Sequence, residues 1–275
     1  MGCNSELSID VQGHRGCRGL YPENSLPAFK KAIELGVTTL ELDIAISKDK
    51  KVVVTHEPYM NAVICLDQNG NEFSKADGKG FNIYEMDYAT IKQFDCGLKF
   101  HPTYPEQKKL KTYKPLLKEV FDLVNALQAD VNFNIEIKSE EDYYGIYTPH
   151  PKTYVELVLL EIISSGLKDK VNLQSFDLNI LEEIKIQDPK MPVALLVDED
   201  EDIFEKIKGL SYEPKIISPN FKLLNQNTIQ ILKAREFVVI PWTVNAKEDM
   251  SEMIALGVDG IITDYPNRLL ELVRN

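Results

Sequence analysis

Three acidic residues are spaced so that their carboxylates could meet at one place in the folded chain. Glu41 and Asp43 are separated by one leucine in the sequence LELDI, and Glu136 lies between two isoleucines in NIEIK. Side chains on a β-strand alternate between its two faces, so Glu41 and Asp43 share one face, and Glu136 shares a face with Asn134 and Lys138. If the two strands are neighbours in a sheet, the three carboxylates converge.

Buried carboxylates at close range need positive charge nearby, because ionised groups are costly to remove from water unpaired. Oxygen ligands suit a hard divalent cation, Ca²⁺ or Mg²⁺, better than zinc, which prefers nitrogen or sulfur. The alternative is a structural ion network in which Arg15 and Lys138 neutralise the acids. The spacing is compatible with both interpretations, and it makes Glu41, Asp43 and Glu136 the candidate ligands of one cation.

A histidine and an arginine fall where acid–base and phosphate chemistry would need them. His14 and Arg15 stand in the sequence GHRG at the end of a predicted strand, the edge where parallel β/α folds place catalytic groups. An imidazole exchanges a proton near neutral pH, and a guanidinium offers a planar fork of donors to a phosphate. An isolated histidine is more often structural, so this motif alone is a weak signal.

A short connection brings a second histidine, His56, toward the acids. Residues 48–50 are all that separates the second predicted strand from the β-rich run 52–55. A parallel crossover needs about a dozen residues or more, so this run must return antiparallel as the second arm of a hairpin. The return places His56 at the level of Glu41 and Asp43.

These residues are positioned by a regular alternation of β-rich and helical segments. Eight β-rich runs are each followed by one helical pattern, which is typical of βα units around a parallel sheet. The predicted strands are 9–14, 39–46, 132–138, 171–176, 193–197, 215–218, 237–243 and 260–264, and the helices lie near 25–35, 116–127, 153–165, 178–186, 201–207, 223–235, 247–256 and 267–273. The length fits one α/β domain over residues 1–275, since α/β barrels commonly reach ~250 residues as one unit.

The alternation is lost between residues 57 and 114, where glycines and prolines interrupt the pattern. A loop of that length in a compact domain usually has a functional or subdomain role. We therefore expect a small cap over the mouth of the barrel, inserted between the second strand and its helix. The proline-flanked His101 and His150 are predicted at the surface, with His101 lining the cap as the alternative. The acidic run 198–202 is predicted to cap a helix N-terminus, with a second cation site as the alternative.

Composition narrows the class of partner. Lys and Arg number 31 against 43 Asp and Glu, which gives a net charge of −12. Lys and Arg form no extended stripe, and this argues against nucleic acid as a partner. A small phosphate ligand stays compatible, because a local site can oppose the global field. No apolar run approaches the ~18 residues of a membrane span, and the sequence carries no signal for an oligomeric state.

The cysteines and the first residues bear on redox state and location. Cys3, Cys17, Cys65 and Cys96 have no C-x-x-C spacing, and their density is far below that of a disulfide scaffold, so we expect structural or incidental thiols. The start MGC lacks the Ser or Thr at position six that myristoylation needs. Cys3 followed by Asn and Ser resembles the mature start of a bacterial lipoprotein. That interpretation implies a periplasmic or lipid-anchored protein, and the alternative is a cytoplasmic one.

The segment from His14 to His56 resembles the signature of the glycerophosphodiester phosphodiesterase family. The matching elements occur in the family's order and approximate spacing, namely HRG at 14–16, PENS at 22–25, AF at 28–29, ELD at 41–43, KD at 48–49 and HE at 56–57. Further matches are EIK at 136–138, QSF at 174–176, WTVN at 242–245 and GIITDYP at 260–266. The combination is highly specific, and the resemblance covers nearly the whole chain.

The resemblance implies a (β/α)8 TIM barrel with an inserted cap, hydrolysing glycerophosphodiesters to glycerol 3-phosphate and an alcohol. It implies one divalent cation, Ca²⁺ or Mg²⁺, as the cofactor. The corresponding residues here are the metal ligands Glu41, Asp43 and Glu136, the acid–base pair His14 and His56, the phosphate contacts Arg15 and Lys138, and Trp242 in the substrate-binding wall. Acid and base must differ in protonation at one pH, which predicts a bell-shaped pH–rate profile.

Departures from the family pattern fall mainly in the insertion. NAVIC at 61–65 stands where relatives usually have an Arg-Thr-Thr-like stretch, and YKPLL at 113–117 stands where Ile-Pro-Thr-Leu is common. The head-group alcohol is therefore left open, as is the attacking oxygen, which is either water or a neighbouring glycerol hydroxyl that would form a cyclic phosphate. Two alternative functions are a related barrel phospholipase acting on intact lipid and a silent barrel that binds a phosphorylated ligand.

Overall fold

The chain folds around one curved sheet, seen in a computed structural model that describes residues 9–274; the interpretation of Cys3 lies outside these residues. The strands are β1 Asp10–Gly13, β2 Thr39–Ile46, β3 Val52–Val54, β4 Asn132–Ile137, β5 Val171–Ser175, β6 Val193–Val197, β7 Ile216–Pro219, β8 Val238–Val239 and β9 Gly260–Thr263. Eight of them are parallel neighbours in the order β8-β7-β6-β5-β4-β2-β1-β9, and β3 pairs with β2.

Backbone hydrogen bonds also join the two ends of this sheet. The Asp259 N–H donates to the Val239 carbonyl at 2.9 Å, and the Ile262 N–H donates to the Pro241 carbonyl at 3.0 Å. The sheet therefore forms the predicted (β/α)8 barrel. Strand β8 has two residues where 237–243 was predicted, because Pro241 has no N–H with which to continue the ladder.

The predicted hairpin is present and places the second histidine. Strand β3 runs antiparallel to β2, with Ile44 opposite Val54. The Thr55 N–H then donates to the Asp43 carbonyl at 2.9 Å. Since His56 follows directly, the chain enters the barrel interior beside the acidic strand, as the loop length predicted.

Helices cover the outer face of the barrel. They are α1 Leu26–Leu35, α2 Lys75–Gly80, α3 Tyr88–Ile91, α4 Leu117–Ala126, α5 Pro151–Ser165, α6 Leu178–Gln187, α7 Ile203–Lys208, α8 Gln226–Ala234, α9 Lys247–Leu256 and α10 Pro266–Val273. The outward side chains Leu40, Leu42 and Ile44 of β2 belong to the core beneath them. Asp202 accepts two backbone N–H bonds at the start of α7, which confirms the predicted cap. No helix of the described residues is both long and apolar enough to span a bilayer.

Residues 57–114, here called the insertion, connect β3 to α4 and contain α2, α3 and the 3₁₀ turn Ile83–Glu85. The insertion has a small apolar core of its own, which packs against the β2–β3 hairpin. Its buried members are Met60, Ile64, Cys65, Ile83, Ile91, Phe94 and Cys96, together with Ala45 and Val53 of the hairpin. The segment is thus a folded unit next to the barrel core.

A disulfide in this small core corrects the expectation of unpaired thiols. Cys65 and Cys96 are bonded, with an S–S distance of 2.06 Å, across 31 positions of sequence. Cys17 remains a free, buried thiol. The pair has no short spacing to reveal it, because it is the folding of the insertion that brings the two residues together. Low cysteine density was therefore a misleading guide.

Candidate active site

The three predicted ligands meet inside the barrel. Strands β2 and β4 pair in a register that sets Asp43 opposite Glu136 and Glu41 opposite Asn134. All three acids are buried, and one carboxylate oxygen from each lies within 4.8 Å of the other two. A single ion could therefore contact all three.

The surroundings of the three acids affect their ionisation differently. Burial raises the pKa of Glu41, and the neighbouring Asp43 raises it further. Burial also raises the pKa of Glu136, although Lys138 opposes this effect. Asp43 is the opposite case: burial opposes its ionisation, but the positive charges around it, Arg15 foremost and Lys138 among the others, together hold its pKa well below the usual range. Without further positive charge, two of the three acids resist ionisation.

The predicted ion network is present but incomplete. Arg15 Nε lies 3.2 Å from Asp43 Oδ2, and Lys138 Nζ lies 2.7 Å from Glu136 Oε1. Glu41, however, has His14 at 3.9 Å as its ion-pair partner among the described residues. One of the three acids thus lacks a lysine or arginine partner, and the network does not fully replace a cation.

An unpartnered oxygen of Asp43 supports the fit of a divalent cation. Asp43 Oδ2 accepts a hydrogen bond from Asn24 Nδ2 at 2.8 Å. Asp43 Oδ1 is buried and has no hydrogen-bond partner among the described residues. Buried polar atoms are normally satisfied, so this oxygen needs a partner that the protein does not provide. Three carboxylates with one free buried oxygen form a donor set of the type that Ca²⁺ and Mg²⁺ prefer.

His14 is held by a carboxylate from the other end of the chain. Its Nδ1 lies 2.6 Å from Asp264 Oδ1. Burial, together with the nearby Arg18, lowers the pKa of His14 to about 4. Since an ionised carboxylate can only accept, Nδ1 carries the proton, and Nε2 is left as an acceptor on the side of Glu41.

His56 has the same arrangement with a different carboxylate. Its Nδ1 lies 3.1 Å from Glu57 Oε1. Burial opposes the ionisation of Glu57, but the hydrogen bond from His56 and the positive charges of His56 and Lys114 lower the pKa of Glu57 to about 2. Both histidines of the predicted pair are thus oriented by an ionised carboxylate through Nδ1.

Arg15 joins the acidic cluster to the loop that follows β1. Its Nη1 donates to Glu23 Oε1 at 2.7 Å, and its backbone N–H donates to Glu41 Oε2 at 2.9 Å. A left-handed backbone, with φ of 49°, accompanies that second bond. A non-glycine residue rarely adopts this conformation, and such residues cluster at functional sites. Arg15 is therefore fixed at both backbone and side chain.

The site opens into a cavity of about 760 Å³. Its wall includes every residue predicted for the site except the buried Asp43, namely His14, Arg15, Glu41, His56, Glu136, Lys138 and Trp242. Trp242 is fixed by a hydrogen bond from Nε1 to the Ser218 carbonyl at 2.9 Å and packs perpendicular to Phe176, with ring centroids 5.5 Å apart. The predicted residues are therefore brought to one place.

Several neighbours of these residues were not assigned a role from the sequence. Glu23, Asn24, Gln174 and Asp264 all lie in the matched motifs, but the motifs do not say which side chain each one contacts. Gln174 Nε2 donates to Glu41 Oε1 at 3.0 Å. Tyr104 and Lys114 lie in the insertion and gave no such signal, and both are buried in the fold. His101, predicted at the surface, is half-buried with its ring centroid 4.6 Å from that of Tyr104.

Fold and site define the class of protein as a (β/α)8-barrel enzyme with an acidic cluster and two oriented histidines. A sequence model of the Glycerophosphoryl diester phosphodiesterase family matches residues 14–268. The glycerophosphodiester phosphodiesterase of Caldanaerobacter subterraneus subsp. tengcongensis is 33% identical over 266 residues, covering 96% of this chain and 97% of that protein. The chain belongs to the glycerophosphoryl diester phosphodiesterase family and is a phosphoric diester hydrolase.

Solved structures support the same assignment. A Silicibacter pomeroyi protein, provisionally identified as a glycerophosphoryl diester phosphodiesterase, has a TM-score of 0.89 at 27% identity, covering 98% of this chain and 94% of that one. A phosphodiesterase from Oleispira antarctica, solved with sn-glycerol-3-phosphate, has a TM-score of 0.77 at 20% identity and covers 96% of both chains. The second likeness is one of fold.

Proposed function

We propose that this enzyme hydrolyses glycerophosphodiesters to glycerol 3-phosphate and an alcohol, with one divalent cation and with His14 and His56 as its acid–base pair. One observation carries the proposal: both histidines line the cavity that holds the acids, and each ring is held through Nδ1 by its own carboxylate. The product bound in the Oleispira antarctica relative agrees with the proposed product here.

Glu41, Asp43 and Glu136 would hold the cation, and their fit rests on the shared 4.8 Å cluster and the unpartnered Asp43 Oδ1. When bound, a divalent cation supplies charge stabilisation for the non-bridging phosphate oxygens. Whether the ion is Ca²⁺ or Mg²⁺ depends on ligand number and site flexibility, so both are used in the test below.

The two histidines divide the proton transfers. A buried, neutral His14 is suited to accept a proton through Nε2 from the attacking hydroxyl, which is water or the substrate's own glycerol hydroxyl. His56 then remains to protonate the leaving alkoxide. Glu57 and Asp264 keep the two rings in the orientation that leaves Nε2 free. This assignment gives each imidazole one role in the displacement of the alcohol; where that step forms a cyclic phosphate, water opens it to glycerol 3-phosphate with the two roles exchanged.

Arg15 and Lys138 would bind the phosphate, and Trp242 would form the adjoining wall. Both side chains line the cavity. Glu23 aligns the Arg15 guanidinium, and Glu136 aligns the Lys138 ammonium group. Guanidinium and ammonium groups held in place can stabilise the charge that develops on phosphate oxygens without reorganising.

The chain would be one domain, residues 1–275, in which the insertion acts as a cap. This cap would limit which alcohol groups the cavity accepts. Glu57, Pro58 and Tyr59 at its start line the same cavity as the two histidines. The alcohol and the glycerol are attached to the same phosphate, so they occupy different walls of the cavity, and we assign the alcohol to the wall that the insertion forms. The insertion is also where the sequence departs from its family, which makes it the place to look for head-group preference.

The test is turnover of glycerophosphocholine, glycerophosphoethanolamine and an intact phospholipid, with Ca²⁺, with Mg²⁺ and with chelator. We expect turnover of the first two, loss with chelator, and a loss of 10²-fold or more for His14→Ala. His150→Ala is the matched control, because His150 is exposed and is not among the residues that line the cavity. Turnover that chelator leaves intact would contradict the metal assignment, and preference for intact lipid would favour a phospholipase.

A further inference from the structure

One loop of the insertion reaches back to the barrel. The Leu110 N–H donates to the Gly97 carbonyl at 2.9 Å, and the Cys96 N–H donates to the Thr112 carbonyl at 2.8 Å. These bonds pair the two ends of a loop, residues 97–110, called here the 97–110 loop. Tyr104 lies in its middle and is 8% exposed, so the loop places one aromatic side chain in the interior.

Tyr104 ends on the carboxylate that orients His14. Its hydroxyl donates to Asp264 Oδ2 at 3.0 Å. Its ring lies against the Arg18 guanidinium, with the central carbon 4.7 Å from the ring centroid. A residue of the insertion is therefore one side chain away from His14.

Asp264 is surrounded by donors on both oxygens. Oδ1 receives His14 Nδ1 at 2.6 Å and Arg18 Nε at 2.9 Å. Oδ2 receives Tyr104 at 3.0 Å, Asn245 Nδ2 at 2.7 Å and Arg18 Nη2 at 3.2 Å. A carboxylate has about four lone-pair sites, so these bonds leave it no freedom to rotate. The donors on Oδ2, together with Arg18, which bonds both oxygens, thus hold Oδ1 toward His14.

We propose that Tyr104 is a positioning residue for catalysis, whose hydroxyl fixes Asp264 so that His14 keeps its reactive orientation. The proposal rests on the proposed role of His14. It makes the insertion part of the catalytic machinery in addition to a wall of the cavity. Orientation errors of this kind are costly, because a small misplacement of a catalytic group reduces the rate sharply.

The hydroxyl can be removed without undocking the loop. Gln107 Nε2 donates to the Arg18 carbonyl at 2.7 Å, and the Lys108 N–H donates to the Leu20 carbonyl at 2.9 Å. Tyr104→Phe keeps the ring and its contact with Arg18, while it deletes the bond to Asp264. This variant therefore separates positioning from simple attachment of the loop.

Tyr104→Phe should lower kcat about tenfold on glycerophosphocholine and leave KM within about twofold, since a hydrogen bond to a charged group is lost while substrate contacts remain. The matched control is Tyr113→Phe, in the same insertion. The Tyr113 hydroxyl donates to Glu119 Oε1 at 2.8 Å, and neither residue lines the cavity. This control variant should leave kcat unchanged. Equal kcat in both variants and the wild type would overturn the proposal.

A double-mutant cycle identifies the route. In an Asp264→Asn background, Tyr104→Phe should have less than about twofold further effect, because the two act as a unit; a full tenfold effect would overturn the proposal. The His14 ring proton, followed by NMR, should shift in Tyr104→Phe and not in Tyr113→Phe, a readout that needs no turnover. If the His14→Ala variant retains activity, the proposed function fails. If that variant loses activity but Tyr104→Phe keeps the wild-type kcat, this inference alone is wrong.

Discussion

At the level of single residues, carboxylates take part in this site in two different ways. Glu41, Asp43 and Glu136 gather their oxygens into one cluster, while Glu57 and Asp264 each accept from a histidine Nδ1. The first kind of carboxylate offers oxygens to a cation. The second kind decides which ring nitrogen carries the proton, and so which one is free to react.

Substrates with different leaving groups can distinguish His56 as the proton donor from His14 as the proton acceptor. On glycerophosphocholine, His56→Ala should lose 10²-fold or more in kcat. On the p-nitrophenyl ester of glycerol 3-phosphate the loss should stay below about tenfold, because p-nitrophenolate departs without protonation. His14→Ala should lose equally on both esters. Equal losses for His56→Ala on the two substrates would contradict its role as the acid.

A second residue-scale prediction concerns the buried cation Lys114. It is 4% exposed, and its Nζ donates to Thr55 Oγ1 at 2.7 Å. Burial lowers the pKa of Lys114, and the charge of Glu57 opposes that effect. Lys114→Met would remove a positive charge near Glu57 and leave Thr55 Oγ1 without its donor, so we expect a loss of about 2 kcal/mol in the free energy of unfolding.

Urea unfolding measures this loss, and Lys92→Met is its control. Lys92 is a cation of the same region that pairs with Glu119 Oε1 at 3.3 Å, but it is exposed. Exposed ion pairs contribute at most about 1 kcal/mol. If the two variants lost the same stability, the buried charge would not have the structural role assigned to it here.

At the level of elements, regular segments were predictable and irregular ones were not. Strand β2 was placed at its observed bounds, because its alternation and length are characteristic, and the hairpin followed from the shortness of 48–50. Strand β8 was too long in the prediction, since periodicity does not register a missing N–H at Pro241. The Asp264–His14 contact spans 250 positions, so neither spacing nor pattern could reveal it.

The insertion gave the weakest sequence signal, and its disulfide was missed for that reason. The Cys65–Cys96 bond lies in a core separate from that of the barrel. Replacing both cysteines with alanine should cost about 2–4 kcal/mol of local stability, because the open chain regains the freedom of a 31-residue loop. Amide hydrogen exchange between positions 66 and 95 should accelerate, while exchange in β2 and β4 stays protected.

The comparison variant for this experiment is Cys17→Ala, which removes a buried thiol from the barrel core instead. It should leave the exchange rates of the insertion unchanged. If the loss of the disulfide does not alter amide exchange between positions 66 and 95, the apolar core of the insertion is sufficient by itself to stabilise this segment.

At the level of the whole molecule, the acidic character of the chain, with a net charge of −12, extends to the cavity, whose lining holds more acids than Lys and Arg. Arg15, Arg18, Lys138 and Lys206 line it beside seven acids, two of which, Glu41 and Glu136, belong to the candidate cation cluster. A bound divalent cation would add two further positive charges there. An anionic substrate therefore depends on the local placement of Arg15, Lys138 and the cation, because the summed charge of the lining does not attract it.

That balance predicts how the stability of the whole fold depends on metal and pH. Burial raises the pKa of Glu41 and Glu136 in the metal-free protein, so the fold favours their protonated forms and loses stability as pH rises through the range in which they ionise. A cation needs the ionised forms, so its stabilisation should grow with pH. At ~100 times Kd it adds about 2.7 kcal/mol, or ~5–10 °C in Tm. Differential scanning fluorimetry with Ca²⁺ or Mg²⁺ against chelator should show a larger Tm difference at pH 8 than at pH 5. In Glu41→Gln the Tm difference should be small at both pH values. Equal Tm differences at pH 5 and pH 8 in the wild type would mean that these carboxylates do not hold the ion.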